Sequence, residues 1–510
     1  MKKLVLLFSV FLLLSCSATK QSSATKKDDG LIQITVIQLN DVYEIAPLGG
    51  GLYGGLSRVA HVRDSLIALN PNTYTVMAGD FLNPSLIGTL KMDGERIAGK
   101  QMIEALNAMG LDLTTFGNHE FDIDQSELQK RINESNFFWT SANVKEVSES
   151  GTALFRKQND FAEFPLKETH VATFADADGT VVNVGFASVT IDSNPQDFVA
   201  YENVNTAMTR ALADLKPRTD FVLGLTHLTV DQDKQLAATF PDLRFIMGGH
   251  EHNNMLVSQG NTQIAKADAN AKTIYIHNLV YNKNTGDLKI NSTLLPIDNT
   301  INSQAKTYAV INKWQEILQT KVKEVIPNPD QVIYTATTPL DGTDSASRGV
   351  QTNLGALITT AMANAYNPRM DAAIVNGGSI RIDDQLSGDI TSMDIFRVLP
   401  FGGSILKIDI TGALLVEVLD YSLTKRGTGA YLQRYNIDRN ENGNWELGGY
   451  VIDSESTYKV AFSDFLLKGY DIPFLTPENP GILGVYEPDS TELAGDIRRA
   501  IVSYISRLAN

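Results

Sequence analysis

Five short polar motifs, each placed directly after an apolar run, constrain this chain of 510 residues more than any other feature. The apolar runs predict buried strands over residues 32–39, 74–78, 111–116, 221–225 and 245–247. The motifs are rich in Asp, Asn and His and occupy residues 40–43, 79–80, 116–122, 226–227 and 248–252. Because open α/β sheets gather ligands at the carboxyl ends of their strands, we expect the five motifs to meet at one site.

The residue types in the motifs indicate a site for divalent metal ions. Asp, Asn and His suit Mn, Zn, Fe or Co, whereas a thiolate-rich site would need more than the single cysteine of this chain. One carboxylate can bridge two cations roughly 3.5 to 4 Å apart, and Asp80, which ends a Gly-Asp step, is the expected bridge. Two such cations lower the pKa of a shared water and hold a phosphoryl group from both sides. The predicted reaction is therefore phosphoester hydrolysis.

In order and spacing, the five motifs resemble those of the calcineurin-like metallophosphatases, in the branch of the 5′-nucleotidases and UDP-sugar hydrolases. Residues 54–58 and 141–143 resemble further segments of that family. The resemblance implies two divalent metal ions with these ligands: Asp41, Asp80 and His252 for one ion, and Asp80, Asn118, His227 and His250 for the other. It also implies that His119 and Asp122 form the catalytic pair, in which the His stabilises the transition-state charge and assists the leaving oxygen.

Tyr43 departs from the family pattern, which has a His two residues after the first Asp. A neutral phenol is a poor metal ligand, so three interpretations stay open. One metal site is a ligand short, or water completes it, or it holds a harder ion that takes a phenolate. Because the remaining ligands are all present, we expect an active enzyme.

A second group of motifs, in residues 348–355, 376–381, 399–403 and 465–471, resembles the substrate-binding domain of the same nucleotidases. The resemblance implies that Phe401 and Phe465 clamp the planar base, which would supply roughly 1 to 3 kcal/mol of stacking per base. It implies that Asp471 accepts hydrogen bonds from the ribose hydroxyls. It implies that Arg348, Asn376 and Arg381 hold the substrate and its phosphate. The guanidinium group of an arginine suits phosphate because its planar fork bonds two oxygens at once.

Two departures in this second group affect substrate preference more than reaction type. Some relatives carry a further Arg four residues before the first, where this chain has Asp344. The usual Gly-Gly pair before the final Asp is Gly469-Tyr470.

The length of the chain exceeds what one hydrophobic core usually organises, so we expect two domains in an α/β protein. The predictions are a calcineurin-like metallophosphatase sandwich of two sheets flanked by helices over residues 31–302, a linker helix within 303–330, and an α+β 5′-nucleotidase substrate domain over 331–510. The formal charge of −16, with no basic run beyond the extreme N-terminus, argues against a nucleic-acid duplex as a partner. The oligomeric state stays open.

Residues 1–16 resemble a bacterial lipoprotein signal, with a positive start, an apolar core and the ending Leu13-Leu14-Ser15-Cys16. We expect Cys16, the only cysteine, to be lipidated, and residues 17–30 to form a flexible tether. The alternative is a stray thiol after an ordinary signal peptide. The predicted location is the bacterial cell envelope, facing the periplasm or the cell exterior, with the lipid anchor as the only membrane contact.

The predicted function is extracytoplasmic hydrolysis of nucleoside 5′-monophosphates to nucleoside and phosphate by a hydroxide that two metal ions activate. Within the enzyme class, the rivals are a UDP-sugar or dinucleotide diphosphatase and a 2′,3′-cyclic-nucleotide phosphodiesterase with 3′-nucleotidase activity. A thiosulfate-ester hydrolase is disfavoured, because the two Phe residues would then have no base to hold. The non-enzymatic rival is a nucleotide-binding surface lipoprotein whose metal site has decayed.

Overall fold

A computed structural model of the protein describes residues 28–508, with gaps at residues 150, 160, 194 and 383. The predicted signal, the lipidation site Cys16 and most of the predicted tether lie outside the described residues. Over the described range, no helix combines the length and the apolar composition that crossing a bilayer requires.

The N-terminal half contains two six-stranded sheets. In spatial order, the first sheet consists of Asp287–Pro296, Thr273–Asn282, Leu31–Leu39, Thr73–Met77, Leu113–Thr114 and Phe138–Trp139. The second consists of Thr169–Ala175, Val181–Thr190, Phe221–His227, Phe245–Gly248, Thr262–Lys266 and Met255–Gln259. The strands that carry the five motifs pair in parallel with one another within each sheet, so their carboxyl ends share one edge.

The alternation of side chains in the first strand explains how the sheets pack. Ile32, Ile34 and Val36 belong to the core between the two sheets, whereas Ile37 and Leu39 face the helices outside the first sheet. The helices that cover the two outer faces are Leu56–Leu69, Leu86–Thr89, Lys100–Met109, Gln125–Glu134, Val204–Leu215 and Val230–Thr239. The predicted sandwich of two sheets flanked by helices is confirmed.

This domain also contains several short strands outside the two large sheets. They are the hairpins Lys91–Met92 with Glu95–Arg96 and Arg156–Gln158 with Glu163–Pro165, and a small sheet of Val199–Tyr201, Val144–Ser148 and Gly151–Ala153.

A long helix, Ala305–Lys323, follows the second sheet within the predicted linker. Its buried residues recur every three or four positions: Thr307, Ile311, Trp314, Leu318 and Val322. The indole Nε1 of Trp314 donates a 3.0 Å hydrogen bond to Glu104 in the helix Lys100–Met109. The linker helix therefore packs on the N-terminal domain.

The C-terminal domain has a five-stranded mixed sheet in the order Leu432–Tyr435, Ala372–Asn376, Thr457–Ser463, Ile405–Thr411 and Ile482–Tyr486. The second and third of these strands pair in parallel, and the other neighbours are antiparallel. Its helices are Asp344–Ser347, Asn353–Ala363, Ser392–Val398, Gly412–Thr424 and Ile497–Leu508. Val332–Asp341 pairs with Gln385–Thr391, and Ile437–Arg439, Trp445–Leu447 and Tyr450–Val451 form a small sheet. The predicted mixture of helices and sheet is confirmed.

The two domains contact each other next to the motif edge of the sheets. Arg397 Nε lies 3.2 Å from Glu44 Oε1, with both side chains less than 15% exposed (13% and 12%). Lys272 pairs with Asp384 across the same boundary. Phe396 is buried in the hydrophobic cluster of the first sheet's helices. The C-terminal domain therefore covers the edge where the five motifs end.

Candidate metal centre and interdomain cleft

The backbone turns sharply directly after three of the strands. Asp41, Asp80 and His250 have φ values of 53°, 57° and 84°, in the left-handed region that residues other than glycine rarely adopt. Such conformations persist only where the surrounding structure enforces them, and they cluster at functional sites. All three residues are predicted metal ligands.

Glycines allow the motif loops to approach each other closely. A Cβ atom on Gly117 would lie 2.0 Å from Asp80 Oδ1, and one on Gly249 would lie 2.3 Å from the carbonyl oxygen of Ala78. Since no side chain fits at these distances, two loops of the first sheet can meet at Asp80, and a loop of the second sheet can meet the first at Ala78, only with glycine at these positions.

The predicted ligands converge with donor atoms facing one another. His227 Nε2 lies 3.1 Å from Asp80 Oδ2, and His252 Nε2 lies 3.4 Å from Asp41 Oδ1. Ligand atoms of Asp80, His227 and His250 all lie within 4.8 Å of one another. Asp41 Oδ1 and His227 Nε2 are buried, and neither has a partner of hydrogen-bond geometry among the described residues. Donor atoms at these short separations are typical of metal ligands that surround shared cations. The oxygen and nitrogen donors present therefore fit divalent metal ions.

The electrostatics of the centre favour bound cations. Burial raises the pKa of the Asp80 carboxyl, but the charges of His227 and His119 outweigh burial and hold this pKa well below its usual range. Burial lowers the pKa of His227, yet the Asp80 carboxylate raises it to about 9, so a metal ion that takes this imidazole as a ligand must displace its proton. The carboxylate at the proposed bridge therefore keeps its negative charge and attracts positive charge toward it.

Tyr43 lies at the metal centre and is 5% exposed. Its hydroxyl donates a 3.2 Å hydrogen bond to Asp80 Oδ2 and lies 3.3 Å from His252 Nε2. The phenol oxygen thus lies between two predicted ligands, at the position where the pattern of the family that the motifs resemble has a His. The three interpretations of Tyr43 remain predictions.

The predicted catalytic pair lies in one turn of 3₁₀ helix, His119–Asp122. His119 Nδ1 lies 2.7 Å from Asp122 Oδ2, and the His119 backbone N–H donates a 2.8 Å hydrogen bond to Asp80 Oδ1. Although burial opposes its charge, the carboxylates of Asp122 and Asp80 raise the pKa of His119 to about 9. Asp122 therefore fixes the orientation of the imidazole and favours its protonated form.

Glu120 organises the centre, although sequence reasoning gave it no role. Its carboxylate accepts hydrogen bonds of 2.6 to 3.1 Å from the backbone N–H groups of Asp80, Phe81, Leu82 and Gly117. Burial and the charge of Asp80 raise the pKa of Glu120 to about 7. Its place inside the third motif was the one signal that could have revealed it.

Lys266 is a second residue that sequence reasoning missed. Its ammonium group is fully buried and lies 2.9 Å from Asp233 Oδ2, with a further ion pair to Glu251. It also donates to the carbonyl oxygens of Leu228, at 2.5 Å, and Gly249, at 2.8 Å. Lys266 thus fixes the two loops that carry the histidine ligands, although no local pattern distinguishes it from other lysines.

A cleft of about 710 Å³ lies between the domains and reaches this centre. Asp41 and His227 are fully buried at the centre. The other predicted residues that line the cleft are Asp80, Asn118, His119, Asp122, His250 and His252 from the first domain, and Arg348, Asn376, Arg381, Phe465 and Asp471 from the second. Asn376 Nδ2 donates a 2.8 Å hydrogen bond to Asp471 Oδ2. The structure therefore brings the two groups of predicted residues to one cleft.

Phe401 is the predicted substrate-binding residue that the cleft lining does not include, and it is 58% exposed. The ring of Phe465, which lines the cleft, instead lies 5.9 Å from the ring of Tyr470. Tyr470 is 75% exposed. The clamp of two Phe rings stays a prediction.

The fold and the centre define a metallophosphoesterase with an added C-terminal domain. A model of the calcineurin-like phosphoesterases matches residues 34–254, and a model of the 5′-nucleotidase C-terminal domain matches residues 332–476. The chain therefore belongs to the 5′-nucleotidase and UDP-sugar hydrolase family, as its motifs predicted, and it is a phosphoric ester hydrolase. Membership of this family implies divalent metal ions.

Proteins with known names are similar to this chain over most of its length. The chain is 27% identical to the trifunctional nucleotide phosphoesterase protein YfkN of Bacillus subtilis over 87% of its own length, and it spans 32% of that longer protein. It is 25% identical to the 5′-nucleotidase of Bos taurus over 82% of this chain and 78% of the bovine protein. The crystal structure of a 5′-nucleotidase precursor from Thermus thermophilus has the same fold, with a TM-score of 0.68, 21% identity and coverage of 94% of this chain and 97% of that one.

Proposed function

We propose that this protein hydrolyses nucleoside 5′-monophosphates to nucleoside and phosphate outside the cytoplasm, with two divalent metal ions at the centre described above. The observation that carries the proposal is the shared cleft. One cavity is lined both by predicted metal ligands and by two arginines, an Asn–Asp pair and an aromatic ring from the other domain. A nucleotide is the ligand that would use all of these groups together.

The ligands Asp41, Asp80, Asn118, His227, His250 and His252 would hold the ions. When bound, the ions supply Lewis acidity and lower the pKa of water. The protonated His119 donates toward the oxygen on which charge develops, and Asp122 holds the ring in that orientation. Arg348 and Arg381 bind the phosphate oxygens, and the Asn376–Asp471 pair meets the ribose hydroxyls.

A substrate panel tests the reaction. The full chain, supplied with each candidate metal in turn, would be assayed on AMP, 3′-AMP, 2′,3′-cyclic AMP, UDP-glucose and NAD. We expect the highest kcat/KM for AMP, with nucleoside and phosphate as products. Preference for the cyclic nucleotide, or cleavage of the diphosphate link, would replace the proposal with one of the two enzymatic rivals.

Removal of the aromatic ring in the cleft tests base recognition separately. Phe465→Ala should lower kcat/KM for AMP by a factor that corresponds to roughly 1 to 3 kcal/mol of lost stacking. It should leave kcat/KM for a small aryl phosphate nearly unchanged. Phe401→Ala measures whether the exposed ring also binds the base. If the two rings clamp the base together, this variant should show a similar loss of kcat/KM for AMP. Equal losses on both substrates in Phe465→Ala would mean that this ring only supports the fold.

Metal content tests the number of ions and the roles of the residues. Asp80→Ala should remove both ions and nearly all turnover, because Asp80 is the proposed bridge. His119→Ala should retain the ions and lose turnover. Elemental analysis of both variants and of the wild type separates the outcomes, and near-normal hydrolysis by Asp80→Ala would overturn the dinuclear proposal.

The proposed location depends on Cys16, which lies outside the described residues. Lipid modification at this cysteine would tether the domains to the cell envelope. Metabolic labelling with a fatty-acid analogue, compared between the wild type and Cys16→Ser, measures this. If the wild-type chain is not labelled and is released without an anchor, the proposed lipid anchor is wrong, and only secretion of the protein remains of the proposed location.

A further inference from the structure

A carboxylate lies inside the cleft, next to one of the two arginines assigned to phosphate. Asp344 Oδ2 lies 2.6 Å from Arg348 Nη2, and the two side chains are 22% and 20% exposed. Both residues line the cleft together with His119 and Asp80. The short helix Asp344–Ser347 fixes this geometry, because the backbone N–H of Arg348 donates to the carbonyl oxygen of Asp344.

The charge of Asp344 also reaches the second arginine. Arg381 Nη2 donates a 2.7 Å hydrogen bond to Asp122 Oδ2. Burial opposes the charge of Arg381, but the carboxylates of Asp122 and Asp344 outweigh it and raise the pKa of Arg381. Asp344 therefore acts electrostatically on both guanidinium groups that face the cleft.

The charges around the cleft determine how the Asp344 carboxylate affects a bound phosphate. The described residues that line it include five carboxylates (Asp80, Asp122, Glu251, Asp344 and Asp471), two arginines and no lysine. In the proposed function, Arg348 and Arg381 hold one phosphoryl group at the metal centre. A second phosphoryl group would need further cationic partners, and the lining beside Arg348 offers the carboxylate of Asp344 instead. Like charges brought together in this way discriminate strongly between ligands.

We propose that Asp344 is a specificity-determining residue that restricts the enzyme to substrates with a single phosphoryl group. It does so by engaging Arg348 and by repelling a second phosphate in the substrate. The inference rests on the proposed function, in which this cleft binds nucleotide phosphates, and it deepens that function. It disfavours UDP-sugars and dinucleotides as substrates.

The test compares how AMP and ADP inhibit the hydrolysis of p-nitrophenyl phosphate by the full chain in excess divalent metal. The variants are Asp344→Asn, which removes the charge and keeps the shape, and Asp344→Glu, which keeps the charge. The matched control is Asp214→Asn, because Asp214 pairs with Arg218 four residues later but lies on the surface, with 51% of its side chain exposed. The readout is the ratio of the two inhibition constants, Ki for AMP over Ki for ADP.

We expect Asp344→Asn to raise this ratio by about tenfold or more, chiefly through tighter binding of ADP. Asp344→Glu and Asp214→Asn should retain the wild-type ratio. Raising the salt concentration should weaken the discrimination of the wild type and leave that of Asp344→Asn nearly unchanged, because salt screens the repulsion. A role limited to holding the helix would not produce this difference in salt dependence.

An Asp344→Asn ratio within twofold of the wild-type value would overturn the inference, because it would mean that Asp344 only positions Arg348. This result is distinguishable from failure of the proposed function. If AMP competes with p-nitrophenyl phosphate but is not itself hydrolysed, the proposed function fails, and the ratio of inhibition constants still tests Asp344.

Discussion

Arg381 of the C-terminal domain donates a 2.7 Å hydrogen bond to Oδ2 of Asp122 in the N-terminal domain. The same oxygen accepts a 2.9 Å hydrogen bond from Asn83 and lies 2.7 Å from Nδ1 of His119. One carboxylate oxygen therefore joins the predicted catalytic histidine to a residue of the other domain. A rotation of the C-terminal domain that moves Arg381 away from Asp122 breaks this hydrogen bond, so the environment of His119 depends on the relative position of the domains.

Asp122→Asn tests this arrangement through the pH dependence of activity. Activity that needs protonated His119 is present below the pKa of this residue and is lost as the pH rises through it. Because Asp122 is a major cause that raises the pKa of His119 to about 9, the substitution should move the alkaline limb of kcat/KM to lower pH. It should also lower kcat by about 10² to 10⁴.

Asp124→Asn is the control for this variant, since Asp124 lies two residues further on, is exposed, and caps a helix that Asn also caps well. Its pH profile should match that of the wild type. An alkaline limb that stays in place in Asp122→Asn would show that His119 does not set it.

Sequence patterns predicted the parts of the site that are local. Asp41, Asp80 and His227 each lie at or just after the end of a strand of recognisable apolar pattern, so their position at one sheet edge could be inferred from the topology of parallel strands. Lys266 and the pair Glu44–Arg397 could not be inferred in this way. Their partners are distant in the sequence, and only the packing of separate loops or domains brings them together.

The same distinction explains the aromatic residues. The resemblance to the nucleotidases implied that Phe401 and Phe465 act together, yet the structure places only Phe465 in the cleft lining. Which ring faces the cleft depends on the orientation of the loop at residues 400–403, and the apolar pattern of the chain does not specify that orientation.

Tyr43→His tests the departure at the metal centre. The phenol oxygen of Tyr43 lies 3.2 Å from Asp80 Oδ2, so an imidazole at this position would add a nitrogen donor beside the proposed bridge. We expect the weaker of the two metal ions to be held more tightly and the preference to shift toward Zn or Mn. Elemental analysis during graded chelation measures this.

Tyr43→Phe completes the comparison, because it removes the hydroxyl and keeps the ring. If Tyr43 is not a ligand, metal retention in Tyr43→Phe should equal that of the wild type. Loss of one ion in Tyr43→Phe, with no gain in Tyr43→His, would show that the phenol oxygen is itself a ligand.

Lys266→Met should destabilise the N-terminal domain by about 3 to 5 kcal/mol, because it leaves the buried Asp233 and the neighbouring Glu251 without their shared cation. Urea denaturation of the metal-free protein measures the change. Lys234→Met is the control, since Lys234 pairs with Asp231 at 3.1 Å on the surface, where the side chains are 40% and 81% exposed. This variant should change stability by less than about 1 kcal/mol. Equal, small effects of both substitutions would contradict the role assigned to Lys266.

His277 predicts a dependence of stability on pH that is separate from the metal centre. It is 1% exposed, and its Nε2 lies 2.9 Å from Oε1 of Gln38, whose Nε2 donates to the carbonyl oxygens of Gly248 and Ala265. Burial lowers the pKa of His277 from 6.5 to about 3, so the folded protein keeps this imidazole neutral where the unfolded chain protonates it. Its contribution to stability is therefore complete above pH 6.5 and declines as the pH falls from 6.5 toward 3.

At about pH 5 the decline attributable to His277 amounts to about 2 kcal/mol. His277→Gln, which cannot take up this proton, should lose about that much less stability than the wild type between about pH 7.5 and pH 5, although it is less stable at the higher pH. Urea denaturation of the metal-free proteins at the two pH values gives the difference for each. A wild-type protein and a variant with the same loss of stability on acidification would show that His277 does not titrate on unfolding in this range.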